Sequence, residues 1–180
     1  MYLSQVILKT RDTYKQHQAI WSLFSHVPER KRDHLFRVES IKGTTCNVLL
    51  QSTTEPKSSQ QARVLATKSF IAEINQGVFY KFKLVAYPSK CLNQNKKVVE
   101  IKDSNEKVQW VQRKLSGANV TVTSMDDYLV RSKKLYMSRF VCFEGILQVM
   151  DKDQIQRALV MGVGRKKHAG AGLLSLARIK

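Results

Sequence analysis

The amino-acid sequence predicts an α+β fold in which the order strand, helix, strand, strand, helix, strand occurs twice. Two observations support this prediction. Apolar and polar residues alternate in several short segments, as they do in strands with one buried face. Between these segments lie stretches that combine helix-capping residues with an apolar stripe. The chain has 180 residues, 43 % of them hydrophobic, which is enough for one ordinary domain or two small ones.

The first occurrence of this order is predicted within residues 1–77. Its strands are predicted at residues 2–8, 35–40, 45–52 and 68–74, and the second and third of these form a hairpin across Gly43. A capping box, Thr13-x-x-Gln16, is expected to begin a helix that runs to about residue 25. A weakly marked second helix is predicted at residues 58–65, and the turn residues Asn75-Gln76-Gly77 mark the boundary.

The second occurrence is predicted within residues 78–180. Its strands are predicted at residues 78–84, 120–124, 140–149 and 173–179. In the first of them, Tyr80 and Phe82 alternate with Lys81 and Lys83, which indicates a half-buried strand with one basic face. Helices are predicted at residues 106–115 and from the capping residue Asp151 to just before Gly162. Residues 126–139 do not fit the order and predict a basic inserted loop or hairpin.

Two β-α-β-β-α-β units correspond to two tandem ferredoxin-like domains, an architecture that RNA-recognition domains also use. The charge indicates the same class of partner. There are 31 Lys and Arg residues against 14 Asp and Glu residues, a net charge of +17, and such a chain attracts a polyanion because each phosphate contact releases a counterion. Acidic membrane surfaces are the less favoured alternative, since no basic amphipathic helix, lipidation motif or long apolar run is present. We therefore predict RNA binding and no membrane partner.

The three cysteines predict a reducing compartment. Cys46, Cys91 and Cys142 are far apart, and no C-x-x-C pair occurs. Neither a disulfide framework nor a zinc knuckle is therefore indicated, and a cytoplasmic location fits best.

The first predicted helix carries a candidate catalytic pair. His17 lies near the middle of an apolar stripe, and Tyr14 precedes it by three residues, so their side chains are neighbours on one helix face. His17 also lies close to the helix start, where the helix dipole favours a bound phosphate. The alternative is a hydrogen-bonded core histidine. His26, His34 and His168 have no partner that their spacing identifies, and we expect each to be a solvated or capping residue.

A glycine-rich loop near the C-terminus, Gly162-Val-Gly-Arg-Lys-Lys-His-Ala-Gly-Ala-Gly172, is a candidate phosphate-binding segment. Such a loop lets backbone N–H groups approach phosphates while basic side chains neutralise them. It is not a Walker loop, because it follows a helix and lacks the Gly-Lys-Ser/Thr ending. A flexible basic surface turn is the alternative. The candidate RNA-binding residues of the loop are Gly164, Arg165, Lys166, Gly170 and Gly172.

The remaining basic candidates lie outside this loop, and no metal or cofactor is predicted. The RNA-binding candidates are Arg30, Arg32, Arg131, Lys133, Lys134 and Arg139. Adjacent Asp126 and Asp127 would point to opposite sides of a strand, and the other acids are scattered singly. A two-metal nuclease needs a cluster of carboxylates. If the protein cuts RNA, we expect metal-independent chemistry.

Several segments together resemble the CasE family of CRISPR repeat endoribonucleases. The resemblance covers nearly the whole chain. Its matching segments are Met1-Tyr2-Leu3-Ser4, Tyr14-Lys-Gln-His-Gln-Ala-Ile-Trp-Ser-Leu-Phe24, Val48-Leu-Leu-Gln-Ser52, Trp110-Val-Gln-Arg-Lys-Leu115, Val141-Cys-Phe-Glu-Gly145 and, most specifically, the ending from Gly162 to Ala177.

This resemblance implies an enzyme that binds the stem-loop of a CRISPR repeat and cuts precursor RNA at the 3′ base of the stem. The ribose 2′-oxygen would attack the adjacent phosphorus without a metal, leaving a cyclic phosphate and a 5′-hydroxyl. By the same resemblance His17 is the general acid or base, Tyr14 positions the reacting oxygen, and Lys167 stabilises charge on the phosphate. Expected partners are the repeat RNA and the other subunits of a Cascade-type complex in a prokaryotic cytoplasm.

Two other functions remain as alternatives. A non-cutting RNA-binding subunit would keep the fold and the complex, although the presence of both Tyr14 and His17 argues against it. A basic structural protein, such as a ribosomal component, would explain the charge but not the glycine-rich ending.

Overall fold

The structure, a computed structural model, describes residues 1–25, 29, 31–71, 73–92, 97–131 and 136–179. It has the predicted α+β fold, with two four-stranded sheets and a separate two-stranded one. By its internal contacts the chain divides into two compact units. The first comprises Met1–Ile71, Arg131–Tyr136 and Lys167–Gly170, and the second comprises Ala72–Val130, Met137–Lys166 and Ala171–Lys180. The division into independent domains at residue 77 stays a prediction, because contacts do not show which segments fold on their own.

The first unit is a sheet with one helix. Its elements are β1 (Tyr2–Leu8), α1 (Thr13–Trp21), β2 (His34–Lys42), β3 (Thr45–Ser52) and β4 (Ala62–Ser69), and its sheet has the order β2-β3-β1-β4 with antiparallel neighbours. Alternate residues of the strands point to one face, where Val6, Leu8 and Leu50 pack with Ile20 of α1 in a buried cluster. Burial of this apolar face holds α1 on the sheet.

The second unit has the same strand permutation. Its elements are β5 (Phe79–Ala86), β6 (Ser89–Cys91), β7 (Val98–Glu100), α2 (Ser104–Lys114), β8 (Ala118–Arg131), β9 (Met137–Val149), α3 (Lys152–Met161) and β10 (Leu174–Arg178). The four-stranded sheet has the order β10-β5-β9-β8. Trp110 of α2 and Ile155 of α3 pack with Phe143 of β9 in its core. When the strands are numbered within each four-stranded sheet, both sheets have the ferredoxin-like order 4-1-3-2, so the predicted fold class is confirmed.

Two predicted elements near residue 60 are wrong. Residues 58–65 do not form a helix, and a strand at residues 68–74 is not present; β4 covers Ala62–Ser69 instead. The open edge of β1 provides the reason, because it forms an antiparallel ladder with β4 from Tyr2 opposite Ser69 to Leu8 opposite Ala62. Before β4, the hydroxyl groups of Ser58 and Ser59 accept bonds from backbone N–H groups and hold a turn. The second helix of the predicted order is therefore absent from the described residues of the first unit.

The first helix begins and ends differently from the prediction. Its N-cap is Asp12, whose carboxylate accepts a hydrogen bond from the N–H of Lys15, so Thr13 and Gln16 do not form a capping box. The amide of Gln16 instead donates to the carbonyl of Arg11 and to Sγ of Cys46. The helix ends at Trp21 rather than near residue 25.

Other predicted elements are confirmed. The hairpin across Gly43 is formed by β2 and β3, and Asp151 is the N-cap of α3. The described ends of the basic stretch at residues 126–139 are two neighbouring strands, because β8 continues to Arg131 and β9 starts at Met137. Within the described ranges, no helix is long and apolar enough to span a membrane.

Candidate active site

His17 lies half-buried at the middle of α1. The cap at Asp12 fixes the start of the helix, and Ala19 and Ile20 anchor its buried side. The half-buried His17 ring has Trp21 at 6.1 Å on one side and His168 at 6.2 Å on another, both edge to face. Its Nδ1 atom is buried and has no hydrogen-bond partner among the described residues. The imidazole is thus placed by ring contacts and not by a hydrogen bond to Nδ1.

The glycine-rich loop brings Lys167 and His168 to this helix. Lys167–Ala169 form a 3₁₀ turn that packs against α1 and β2. Lys166 just before the turn has a φ of 59°, and Gly170 just after it has a φ of 89°. A Cβ atom on Gly170 would lie 3.2 Å from the ring of Phe36, so only glycine fits this close approach without strain. The backbone conformation therefore determines where the side chains of Lys167 and His168 leave the main chain.

The site concentrates positive charge. Burial, then Arg32, then His168 lower the pKa of His17 below its ordinary value. Burial and then Arg32 also lower the pKa of Lys167. Because Arg32 affects both groups, the three side chains form one electrostatic cluster within the first unit. An imidazole with a lowered pKa is neutral near pH 7 and can accept a proton, while the two cations suit an anionic ligand.

Comparison with known proteins identifies the family of the chain. A family model described as "CRISPR associated protein" matches residues 1–178. The chain belongs to the CRISPR-associated protein family. The CRISPR system Cascade subunit CasE of Escherichia coli is 35 % identical, with 98 % of this chain and 99 % of that protein covered. The CRISPR-associated endoribonuclease Cse3 of Thermus thermophilus is 32 % identical, with 91 % of this chain and 89 % of that protein covered.

A solved structure of a family member extends the similarity to three dimensions. CRISPR endoribonuclease Cse3 bound to a 19-nucleotide RNA has a TM-score of 0.82 and 30 % identity, and the match covers 98 % of this chain and all of that one. The resemblance inferred from the sequence motifs is thereby confirmed.

The other candidate residues of this family member differ in their surroundings. Tyr14 is 41 % exposed on α1, one helical turn before His17. Lys166 donates a 2.6 Å hydrogen bond to Ser138 and lies over the ring of Tyr87, whereas Arg165 is exposed. Gly164 packs under the ring of Trp110, and Gly172 donates its N–H to the carbonyl of Val85. Both of these glycines therefore have packing roles within the second unit.

The basic residues of the hairpin are not equivalent. Arg139 lies 3.4 Å from Asp127 and 3.9 Å from Glu100, so two carboxylates offset its charge. Arg131 is exposed, and the structure gives it no ion pair within the described ranges. Arg30, Lys133 and Lys134 lie outside the described residues. Arg131 is therefore the described hairpin cation best suited to meet a phosphate.

Of the two described histidines that were expected to be solvated or capping residues, His34 departs from the prediction and His168 is exposed. His34 is buried, with its ring stacked on Phe24 and edge-on to Trp21, and its Nδ1 lies 3.7 Å from Asp33. His168 is exposed but lies beside His17. No signal in the local sequence identifies these partners, because the contacts join elements that are distant along the chain. His26 lies outside the described residues.

The described part of the chain groups no three His, Cys, Asp or Glu residues in a way that could hold a metal ion. The ionisable side chains of the site are the imidazoles of His17 and His168, the ammonium of Lys167 and the guanidinium of Arg32.

Proposed function

We propose that this family member is an endoribonuclease that cuts precursor CRISPR RNA at the 3′ base of the repeat stem-loop, without needing a metal ion. The carrying observation is His17, which has a lowered pKa and lies in one electrostatic cluster with Lys167 and Arg32. Relatives that are 32 % and 30 % identical are named endoribonucleases, and the second is bound to RNA. The relative named a Cascade subunit supports retention of the product in such a complex, in a prokaryotic cytoplasm.

His17 is proposed as the general base. A neutral imidazole takes the proton of the ribose 2′-hydroxyl, the 2′-oxygen forms a bond to phosphorus, and the bond from phosphorus to the 5′-oxygen breaks. The products are a 2′,3′-cyclic phosphate and a 5′-hydroxyl. Tyr14, one turn earlier on α1, is proposed to orient the ribose or the attacking oxygen.

Lys167 and Arg32 are proposed to stabilise the phosphate as it gains charge. In the transition state the non-bridging oxygens become more negative, and preorganised cations close to them lower the barrier. The two cations repel each other in the empty site. The negative charge of the bound RNA phosphate relieves this repulsion, and it does so most in the transition state, where that charge is largest.

The remaining basic surface is proposed to hold the RNA stem. Arg131 and Arg165 are exposed and suit phosphate contacts, and Arg30, Lys133 and Lys134 are proposed from the sequence alone. The proposed RNA-binding set also includes residues that make hydrogen bonds, ion pairs or packing contacts within the protein, namely Lys166, Arg139, Gly164, Gly170 and Gly172. The proposed domain boundary remains at residue 77.

Cleavage of a repeat hairpin in EDTA tests this function. We expect a cut at the 3′ base of the stem with a cyclic phosphate end, and we expect no cut when the nucleotide before the cleavage site carries a 2′-deoxyribose. A requirement for added magnesium would refute the metal-independent mechanism. Tight hairpin binding with no cleavage under any of these conditions would instead identify a non-cutting RNA-binding subunit.

A further inference from the structure

A second imidazole lies beside the proposed base. The ring centre of His168 is 6.2 Å from that of His17, and the two planes are inclined at 80°. His168 is exposed to solvent, whereas His17 is half-buried. His168 also follows Lys167 directly, on the turn that packs against α1 and β2. The site therefore holds two proton-transfer groups of the same kind in different surroundings.

We propose that His168 is a second catalytic residue, the general acid that protonates the departing 5′-oxygen. The proposal rests on the proposed RNA-cleaving function and deepens it. The reaction needs two proton transfers, because the 2′-hydroxyl loses a proton and the 5′-oxygen gains one. His17 accepts the first as the 2′-oxygen bonds to phosphorus, and the imidazolium of His168 donates the second as the bond to the 5′-oxygen breaks. Exchange with water then restores both groups.

The spacing of the two rings suits this division of work. In a displacement at phosphorus the attacking and leaving oxygens lie roughly in line on opposite sides of the phosphorus. A proton donor or acceptor must come within about 2.6–3.2 Å of its oxygen. Two imidazole rings whose centres are 6.2 Å apart can each reach a different oxygen of one phosphate that lies beside the pair.

The surroundings of the two rings assign the direction of proton transfer. His17 is half-buried, and burial and then the neighbouring positive charges of Arg32 and His168 lower its pKa, which suits a base. His168 is exposed, so solvent water reaches its ring and can return the proton that the ring donates. The turn that carries His168 is held by the positive φ of Lys166 and by the packing of Gly170 against Phe36. The backbone at His168 therefore has a defined conformation.

A change of leaving group tests the assignment. The probe is a repeat hairpin whose scissile 5′-oxygen is replaced by sulfur, since a thiolate leaves without being protonated. Single-turnover rates are measured at saturating protein for wild type, His168→Ala, His168→Gln and His17→Ala. We expect both His168 variants to cut the oxygen substrate ~10²–10⁴-fold more slowly and the sulfur substrate within a few-fold of wild type. His17→Ala should be slow on both substrates.

Each other outcome overturns the proposal. Equal losses on both substrates would show that His168 only positions His17 or binds RNA, and a wild-type rate on the oxygen substrate would show that it has no role. Lys167→Ala is the matched control, and rescue of that variant by sulfur instead would make Lys167 the acid. A wild-type protein that cuts neither substrate would refute the proposed function itself, which is distinct from a failure of the His168 assignment. Melting temperatures of all variants show whether each is folded.

Discussion

Replacing His17 by alanine should separate catalysis from stability. As a general base, His17 contributes ~10²–10⁴ in rate, or ~2.7–5.4 kcal/mol of activation free energy at ~1.36 kcal/mol for each factor of ten. Affinity for the hairpin should change by only a few-fold, because 31 Lys and Arg residues are available to neutralise phosphates and His17 is neutral.

The effect of this substitution on folding should be small. Edge-to-face contacts with Trp21 and His168 are lost, and such contacts contribute ~0.5–1.5 kcal/mol each. A buried Nδ1 without a described partner is removed as well, which recovers a cost of ~1–3 kcal/mol. These terms nearly offset each other, so the melting temperature should stay within ~4 °C of wild type.

Ile20 on the same helix provides the matched control. It is fully buried in the core of the first unit, so Ile20→Ala should destabilise the fold by ~2–5 kcal/mol. When the variant is folded at low temperature, its cleavage rate should remain far above that of His17→Ala. The measurements are the melting temperature, hairpin affinity and single-turnover rate of each variant. A near wild-type rate for His17→Ala, or a joint loss of its stability, binding and cleavage, would contradict the assignment of His17 as the base.

Three further predictions concern pH, salt and the loop. The single-turnover rate should rise with pH through the lowered pKa of His17. Arg32→Ala should move this rise to higher pH, because removing a positive charge raises the pKa of His17 while burial still lowers it. An unmoved pH profile would show that Arg32 does not act on His17. Arg131→Ala should reduce the slope of the logarithm of the hairpin-binding constant against log salt by ~0.7–0.9, for one lost phosphate contact. Arg139→Ala should reduce the slope less, because Asp127 and Glu100 already offset the charge of Arg139. Equal slopes in the two variants would contradict this difference between Arg131 and Arg139. Gly170→Ala should slow cleavage by displacing the 3₁₀ turn from Phe36. Gly43 also has a positive φ but has open space around it, so Gly43→Ala should affect only stability. Equal cleavage rates in the two variants would refute a role for the turn.

The sequence was a good guide where neighbouring residues decide the structure. The alternation of Tyr80, Phe82 and Leu84 predicted β5, and Asp151 predicted the start of α3. Local rules were less reliable where competing caps were adjacent. Asp12 and Thr13 are both good N-caps, and the carboxylate of Asp12 is the one that accepts the N–H of Lys15.

Residues 58–69 show a second limit of prediction from sequence. A helix was predicted at residues 58–65, yet β4 forms at Ala62–Ser69 because β1 offers an edge of unpaired backbone groups. The other edge of β1 is paired with β3, and β1 itself is far from β4 in sequence. Propensity within the segment cannot report such a partner.

The sequence by itself determined the fold class, the family, and the presence of Tyr14, His17 and Lys167 at the motif positions. These features depend on residue type and order, which are visible without coordinates. Only the tertiary structure decided that His168 lies beside His17, that His34 is buried between Trp21 and Phe24, and that Lys166 is held by Ser138 and Tyr87. The physical reason is that these contacts join side chains far apart along the chain, and chain folding alone sets such distances.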